Sequence, residues 1–178
     1  MAVVAAVMTL TLSACGGGES DESAPEDQKN TAQSKEAGEA RATEVNTEEV
    51  IAELQGAGGV ELAVHSAVRD TEGFVTIHAT ATNNGDGSFA AAEWRSQETE
   101  MKSKSSISGA SIVDKEGKKR YMVLRDTDGQ CLCTTGIRIA SGDSTPIFAQ
   151  FPAPPEDVTQ VEFNVPSMSP ADLELTEG

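Results

Sequence analysis

The sequence predicts an all-β protein, an antiparallel β-sandwich of about seven or eight short strands that follows a long acidic segment. Two observations predict the sandwich. Apolar and polar residues alternate along Val60–Arg69 and again along Phe74–Asn83, and a period of two is typical of strands with one buried face. Short turn sequences rich in Gly, Asp and Asn then separate further strand candidates at the spacing of a sandwich or barrel.

The strand candidates set the expected domain boundaries. After the first hairpin, six more candidates occur at 88–94, 107–114, 120–126, 133–139, 145–151 and 158–165. No repeat and no second domain is visible, so we expect one sandwich over 59–166 and a flexible C-terminal tail at 167–178. Its core is expected to combine aliphatic side chains with the aromatic residues Trp94, Phe148, Phe151 and Phe163.

The segment before the sandwich has a different composition. Residues 16–55 hold eleven acidic residues against three basic ones and contain no aromatic residue. Such a chain cannot bury enough apolar surface to offset the entropy lost on ordering, which predicts a disordered acidic linker over 15–58. One short helix is expected at 47–55, because Asn46 can cap it with Glu49 three positions on. The apolar face of that helix would comprise Val50, Ile51 and Leu54.

A cysteine follows an apolar stretch near the N-terminus. Residues 2–12 are apolar apart from two threonines, and this stretch is too short to cross a bilayer as a helix but fits the hydrophobic region of a secretory signal. The sequence Leu12-Ser13-Ala14-Cys15 that ends it resembles the lipobox of bacterial lipoproteins. That resemblance implies a lipoprotein signal peptide over 1–14, a diacylglyceryl group on the Cys15 thiol and cleavage before Cys15. Secretory signals begin with a basic region, but no Lys or Arg precedes Cys15, so we expect the true start codon to lie upstream.

Lipidation of Cys15 would fix the location of the protein. Two acyl chains are enough for stable attachment to a bilayer, so the protein is expected to be anchored to the cell membrane on its extracellular side. A flexible linker of about 40 residues would let the folded domain stand roughly 35 Å from that anchor.

Three stretches carry a second resemblance: ATATNNGDGSFAAAEW (79–94), RYMVLRDTDGQCLCTTG (120–136) and FPAPPEDV (151–158). The first is similar to the passage from the second to the third strand of immunoglobulin-like domains in secreted and lipid-anchored actinobacterial proteins. The other two look like parts of such exported proteins. The resemblance implies an immunoglobulin-like sandwich and no known activity.

Charge and motifs argue against two classes of function. The formal net charge is −16, whereas nucleic-acid binding requires positive charge to neutralise phosphates. The basic cluster Lys118-Lys119-Arg120 is better explained as a solvated hairpin tip. The sequence shows no nucleophile elbow, phosphate-binding loop or zinc-protease motif, and a serine without a positioned base is inert, so we predict no enzymatic activity.

Cys131 and Cys133 form a closely spaced pair. With Cys15 acylated, they are an even pair in an oxidising compartment, which predicts a disulfide between them. Residues two apart in a flat strand have Cα atoms about 6.6 Å apart, near the 6.8 Å upper end for disulfides, so a bent backbone and an easily reduced bond are expected. Three roles remain open for the pair: a local loop clamp, a labile redox pair, or a thiolate pair for copper(I), with Met122 as a third ligand.

The two histidines form a second candidate site. If Val60–Arg69 and Phe74–Asn83 pair around a four-residue loop, His65 falls directly opposite His78. Opposed Cβ atoms lie about 4.5–5.5 Å apart, close enough for two imidazoles to share a metal. The alternative is two solvated histidines on an open sheet face.

These observations lead to one expected function and one alternative. We expect a membrane-anchored, non-enzymatic module that interacts with an unidentified protein or cell-envelope component and needs no cofactor. The alternative is a copper-binding or redox accessory lipoprotein that uses Cys131 and Cys133.

Overall fold

A computed structural model describes residues 47–97 and 104–178. The expectations for the signal peptide, for Cys15 and for most of the linker concern residues 1–46 and lie outside the described residues. Where the chain is described, its regular secondary structure consists of β-strands and one short 3-10 helix at Ala57–Gly59. None of the described residues belongs to a helix long and apolar enough to cross a membrane.

Eleven strands lie within the described residues. They are β1 (Ala52–Gln55), β2 (Val60–Arg69), β3 (Phe74–Asn83), β4 (Phe89–Ala90), β5 (Ser111–Asp114), β6 (Lys119–Met122), β7 (Arg138–Ile139), β8 (Ser144–Pro152), β9 (Gln160–Asn164), β10 (Ala171–Glu174) and β11 (Thr176–Glu177).

Two sheets form the sandwich. The first has the order β1-β2-β3-β8, and β11 pairs in parallel with the end of β2; the second has the order β10-β9-β5-β6, and β4 and β7 form a small separate ladder. Of the seven strands β2, β3, β5, β6, β8, β9 and β10, the first, second and fifth lie in one sheet, and the third, fourth, sixth and seventh lie in the other. This is the immunoglobulin-like arrangement, so the predicted fold class is confirmed.

The core lies between the inward faces of the two sheets. Phe151 of β8 and Phe163 of β9 are both almost fully buried, and their rings meet edge to face with centroids 6.2 Å apart. Trp94 is buried beside the ring of Phe89, at 4.9 Å between centroids. Three of the four aromatic core predictions are therefore correct.

The prediction that Phe148 belongs to the core is wrong. Its side chain is 40% exposed. In β8 the inward positions are Ile147, Ala149 and Phe151, and successive side chains of a strand point to opposite faces. Phe148 therefore points outward from the first sheet.

The predicted helix at 47–55 is also wrong, because β1 occupies its second half. Leu54 is fully buried, whereas Val50 and Ile51 are exposed. The four residues of β1 pair with β2 from Val64 to Glu61. A nine-residue helix is marginal in isolation, whereas β1 satisfies the hydrogen-bonding edge of β2, so sheet pairing overrides the local helix signal. The folded domain consequently begins before residue 59.

The predicted flexible tail at 167–178 belongs to the sandwich as well. β10 pairs antiparallel with β9 and β11 pairs parallel with β2. Leu173 and Leu175 alternate with polar residues and are almost fully buried. This short alternation closes the core between the two sheets and explains why the segment is ordered.

Candidate binding face

The outward side of strands β3 and β8 is the candidate site. The two strands pair antiparallel from Phe74↔Pro152 to Thr82↔Ser144. Their outward side chains form what we call the β3–β8 face, which consists of Phe74, Thr76, His78, Thr80, Thr82, Ser144, Pro146, Phe148, Gln150 and Pro152. All ten are at least partly exposed.

The β3–β8 face contains no Asp, Glu, Lys or Arg, and neither do the inward positions of these two strands. Charged residues make up 24% of the chain, so a run of uncharged strands is unusual for this protein. By contrast, each of the four strands of the second sheet carries at least one charged residue. Strands β3 and β8 therefore present an uncharged strip on a strongly acidic protein, although the neighbouring strands β1 and β2 of the same sheet carry Glu53 and Glu61.

An aromatic pair occupies the middle of this face. Phe148 lies directly opposite His78, with ring centroids 6.4 Å apart and planes inclined at 33°. Burial lowers the pKa of His78 below its ordinary value, since the charged imidazolium is less well solvated there. The ring is consequently neutral at neutral pH, and the face stays uncharged.

A further segment extends the face beyond β8. The backbone N–H of Gln150 donates to the Leu132 carbonyl oxygen at 3.0 Å, and that of Thr134 donates to the Phe148 carbonyl oxygen at 2.9 Å. Cys133 bridges to Ala149 and is buried, whereas Leu132 is 38% exposed. Leu132 therefore adds an apolar side chain beside Gln150 at the edge of the face.

The predicted disulfide is present. Cys131 and Cys133 are bonded, and their Cα atoms lie 5.2 Å apart, well short of the flat-strand distance of about 6.6 Å. The backbone bends here because Cys131 forms a β-bridge with Arg125, whereas Cys133 forms a β-bridge with Ala149 of β8. The two cysteines therefore pair with different segments of the chain. The bond joins the two residues that flank Leu132 and therefore restrains the backbone at that residue.

Reduction of this disulfide is expected to leave the sandwich folded. In the chain-entropy model, a disulfide that closes a three-residue loop adds only about 1.5 kcal/mol to the free energy of unfolding. The double variant with Cys131→Ser and Cys133→Ser is therefore expected to lose that amount of stability or less. Peptide mapping of unreduced protein tests the bond, and thermal melting with and without reductant tests its contribution. Free thiols at both positions would refute the bond, and collapse of the melting temperature would refute its minor role.

The predicted His65–His78 pairing is wrong. Opposed residues of β2 and β3 follow the predicted register from Val60 to Val64, but the register then shifts, and His78 lies opposite Ser66. His65 is the extra residue of this β-bulge, a device that re-aims a side chain. Its Nδ1 lies 2.7 Å from the Glu49 carbonyl oxygen and its Nε2 lies 2.8 Å from the Thr80 hydroxyl. A carbonyl only accepts, so Nδ1–H donates to Glu49, and Nε2 shares a hydrogen bond with the Thr80 hydroxyl, so both ring nitrogens have partners.

The structure does not assemble the predicted metal ligands into a metal site. Met122 is 46% exposed and lies on β6 of the second sheet, opposite Ser111. The sulfur atoms of Cys131 and Cys133 are joined to each other and are not thiolates. Within 47–97 and 104–178, no group of three or more His, Cys, Asp or Glu side chains is arranged to hold a metal ion.

A cleft of about 490 Å³ lies at one end of the second sheet, between the turn after β5 and the segment 155–162. Three of the charged residues that line it contact one another. Lys115 donates to Asp172 at 2.6 Å and lies 3.1 Å from the carboxylate of Glu162. These contacts raise the pKa of Lys115 above its ordinary value. The positive charge of Lys115 is therefore already paired within the chain.

Sequence reasoning missed the β3–β8 face as a unit. The available signal was the absence of charge from 74–83 and from 144–152, but local patterning does not reveal that these two segments are neighbours.

No protein-family model matches the chain, and a search of the curated proteins finds no match.

Proposed function

We propose that this chain is a lipid-anchored, extracytoplasmic binding module that contacts a protein partner at the cell envelope through the β3–β8 face. The observation that carries the proposal is the complete lack of charged residues on the outward sides of β3 and β8. The lipobox sequence that ends at Cys15 supports the anchor. The protein has a non-catalytic role in this proposal.

The composition of the face suits protein recognition. The centre of a protein interface is depleted in charged residues and enriched in aromatic ones. Phe148 and Leu132 expose 40% and 38% of their surface, and hydroxyl and amide groups surround them. A partner can remove water from this surface without burying a single carboxylate, which avoids the desolvation cost of buried charge.

The copper-binding or redox alternative receives less support. Copper binding requires thiolates at Cys131 and Cys133, which are bonded to each other. A redox role requires access to this bond, and both of its residues are almost fully buried. The third ligand considered for copper, Met122, lies on the other sheet.

Loss of the lipid attachment site is expected to release the protein. Replacement Cys15→Ala removes the thiol that would accept the diacylglyceryl group, so the chain is expected in the medium or as an unprocessed precursor instead of in the membrane fraction. Detergent partitioning and intact-mass measurement distinguish these forms. An unmodified Cys15 in the mature wild-type protein would contradict the proposed anchor.

Substitution at the centre of the face is expected to abolish binding. Phe148→Glu places a carboxylate where the partner would exclude water, and the cost of desolvating this charge weakens binding. We expect the dissociation constant to rise more than about 100-fold, where each tenfold change corresponds to 1.4 kcal/mol. The matched control is Met122→Glu, which adds the same charge to an exposed apolar position on the second sheet. Partners retained by the detergent-solubilised lipoprotein provide the measurement. Equal retention by the two variants would contradict the assignment of this face.

A further inference from the structure

We propose that the protein that docks on the β3–β8 face is cationic, with an apolar centre surrounded by Lys and Arg side chains. The inference rests on the proposed function, because it concerns the same surface. It goes further by specifying the chemistry of the partner from the charges that surround the uncharged strip.

Carboxylates flank the β3–β8 face on the side of β1 and β2. Pairing places Glu61 of β2 directly opposite Thr82 of the face. Glu53 of β1 pairs with Ala63, which lies on the same side of β2 as Glu61, two positions along the strand. Adjacent strands are about 4.8 Å apart, so Glu61 and Glu53 lie one and two strands from β3. These spacings are comparable with the Debye length of about 8 Å at physiological ionic strength, so both charges act on a molecule bound to the face.

The turn between β2 and β3 adds two carboxylates at one end of the face. Asp70 and Glu72 lie in this turn, directly before Phe74, which pairs with Pro152 at the end of the face. Asp70 Oδ1 accepts a hydrogen bond from the backbone N–H of Phe74 at 2.9 Å, and the side chain of Glu72 is exposed. A molecule that covers Phe74 therefore lies beside both carboxylates.

A loop adds two more carboxylates beyond β8. The backbone N–H of Leu124 donates to the Gln150 carbonyl oxygen at 2.9 Å, and the backbone N–H of Gln150 donates to the Leu132 carbonyl oxygen at 3.0 Å. Gln150 belongs to the face, so both ends of the segment from Leu124 to Leu132 are fixed at its edge. Asp126 and Asp128 lie within that segment and are exposed.

We call these six carboxylates the acidic rim, which consists of Glu53, Glu61, Asp70, Glu72, Asp126 and Asp128. All are at least partly exposed, and none of them forms an ion pair with another described residue. Asp70 and Asp126 accept hydrogen bonds from backbone N–H groups. Glu61 accepts one from the Asn84 carboxamide at 3.3 Å. These donors are neutral, so the negative charge of the acidic rim is left for a partner to neutralise.

The basic residues are concentrated elsewhere in the sandwich. Ten follow Gln55, and four of them lie in the hairpin of β5 and β6 in the second sheet, namely Lys115, Lys118, Lys119 and Arg120. The segments that carry the acidic rim contain two. Arg69 is buried and bound to Glu177, and Arg125 donates to the Gly129 carbonyl oxygen of its own loop at 3.0 Å. The acidic rim is therefore a local asymmetry and not only a consequence of the net charge.

These charges select one class of occupant. A protein interface has a core depleted in charge and a polar rim, and complementary charges across the rim steer and orient the partner. Phe148 and Leu132 provide exposed apolar side chains for the core of such a contact, and the acidic rim requires cations around it. A second copy of this chain would bring two acidic rims together, and an anionic lipid surface would also be repelled.

Charge reversal combined with photo-cross-linking tests the proposal. The purified full chain carries Cys15→Ser and a photoreactive side chain at position 148, and it is titrated into native membranes from cells that lack the natural copy. The measured quantity is the concentration that gives half-maximal adduct. Glu53→Lys combined with Glu72→Lys is expected to raise this concentration about tenfold at low salt, since each reversal replaces an attraction with a repulsion and exposed ion pairs are individually weak. Mass spectrometry of the adduct is expected to identify a basic protein.

The matched control is Glu116→Lys. Glu72 and Glu116 are both exposed residues that directly precede a glycine in a hairpin turn, but Glu116 lies on the second sheet, so its reversal is expected to leave the half-maximal concentration unchanged. The effect of the double reversal is expected to shrink as ionic strength rises from about 0.01 M to about 1 M, because the Debye length falls from about 30 Å to about 3 Å. Thermal melting of each variant reports whether it folds.

The outcomes separate the inference from the proposed function. A protein adduct that responds neither to the double reversal nor to salt would overturn the cationic partner and leave the binding function standing. An adduct with a second copy of this chain, or with a protein whose contacting surface is not basic, would do the same. An adduct with lipid alone, or no adduct from position 148, would contradict the proposed function and the inference with it.

Discussion

A chain that ends at Pro170 is expected not to form a stable sandwich. The deletion removes β10 and β11 and with them Leu173 and Leu175, which expose only 3% and 6% of their surface. Truncation of a buried leucine to alanine costs about 2–5 kcal/mol, and total stability is only about 5–15 kcal/mol. The loss of two such side chains, together with the pairing of β10 to β9, is therefore expected to consume most of the stability.

Urea unfolding followed by the fluorescence of Trp94 tests this expectation. The matched control lacks only residues 176–178 and keeps both leucines, so it is expected to unfold cooperatively at a moderately lower urea concentration. A cooperative transition of wild-type midpoint in the longer deletion would show that the C-terminal strands are dispensable.

Arg69→Ala is expected to destabilise the domain by about 1.5–3 kcal/mol, the contribution typical of hydrogen bonds made by a charged group. Arg69 is 4% exposed at the end of β2. Its guanidinium donates to the carbonyl oxygens of Val158 at 2.6 Å and Pro155 at 3.2 Å, and it binds the Glu177 carboxylate at 2.7 Å. One side chain therefore contacts both the segment after β8 and the last strand, and its loss removes the donor from these partly buried hydrogen bonds.

The control for this substitution is Arg138→Ala, which removes an exposed guanidinium from β7 and is expected to change stability by less than about 0.5 kcal/mol. Urea midpoints of both variants give the comparison. Equal effects of the two substitutions would show that the contacts of Arg69 contribute no more than surface charge.

The sequence predicted the long hairpin well because its signal is local. Alternation in Val60–Arg69 and Phe74–Asn83 identified β2 and β3 with their observed bounds. The register was correct only as far as Val64, since a β-bulge inserts one residue at His65. The bulge is associated with the bonds of His65 to Glu49 and Thr80, and alternation does not reveal contacts of that kind.

The errors at the domain ends have a common physical cause. Residues 47–55 carry a real helix signal, and residues 171–177 carry only a short alternation around Leu173 and Leu175. In both places a neighbouring strand offers hydrogen bonds and a buried surface, β2 for β1 and β9 for β10. Tertiary pairing decides such weak segments, so their structure could not be deduced from local pattern alone.

The candidate face was predictable only in part. Alternation already placed His78 and the threonines of β3 on the less apolar side of the sheet. The position of β8 beside β3 depends on strand order, which joins residues about 70 positions apart. The prediction that Phe148 lies in the core fails for the same reason. The orientation of its side chain depends on the long-range pairing of β8 with β3, which places Phe148 opposite His78.

The central claim is that the β3–β8 face binds a protein, and site-specific photo-cross-linking in the native membrane tests it most directly. A photoreactive side chain replaces Phe148 in the full chain, and a control carries it at Arg120, an exposed residue of β6 on the second sheet. We predict one defined covalent adduct from position 148 and none from position 120. No adduct from position 148, or the same adducts from both positions, would contradict the account.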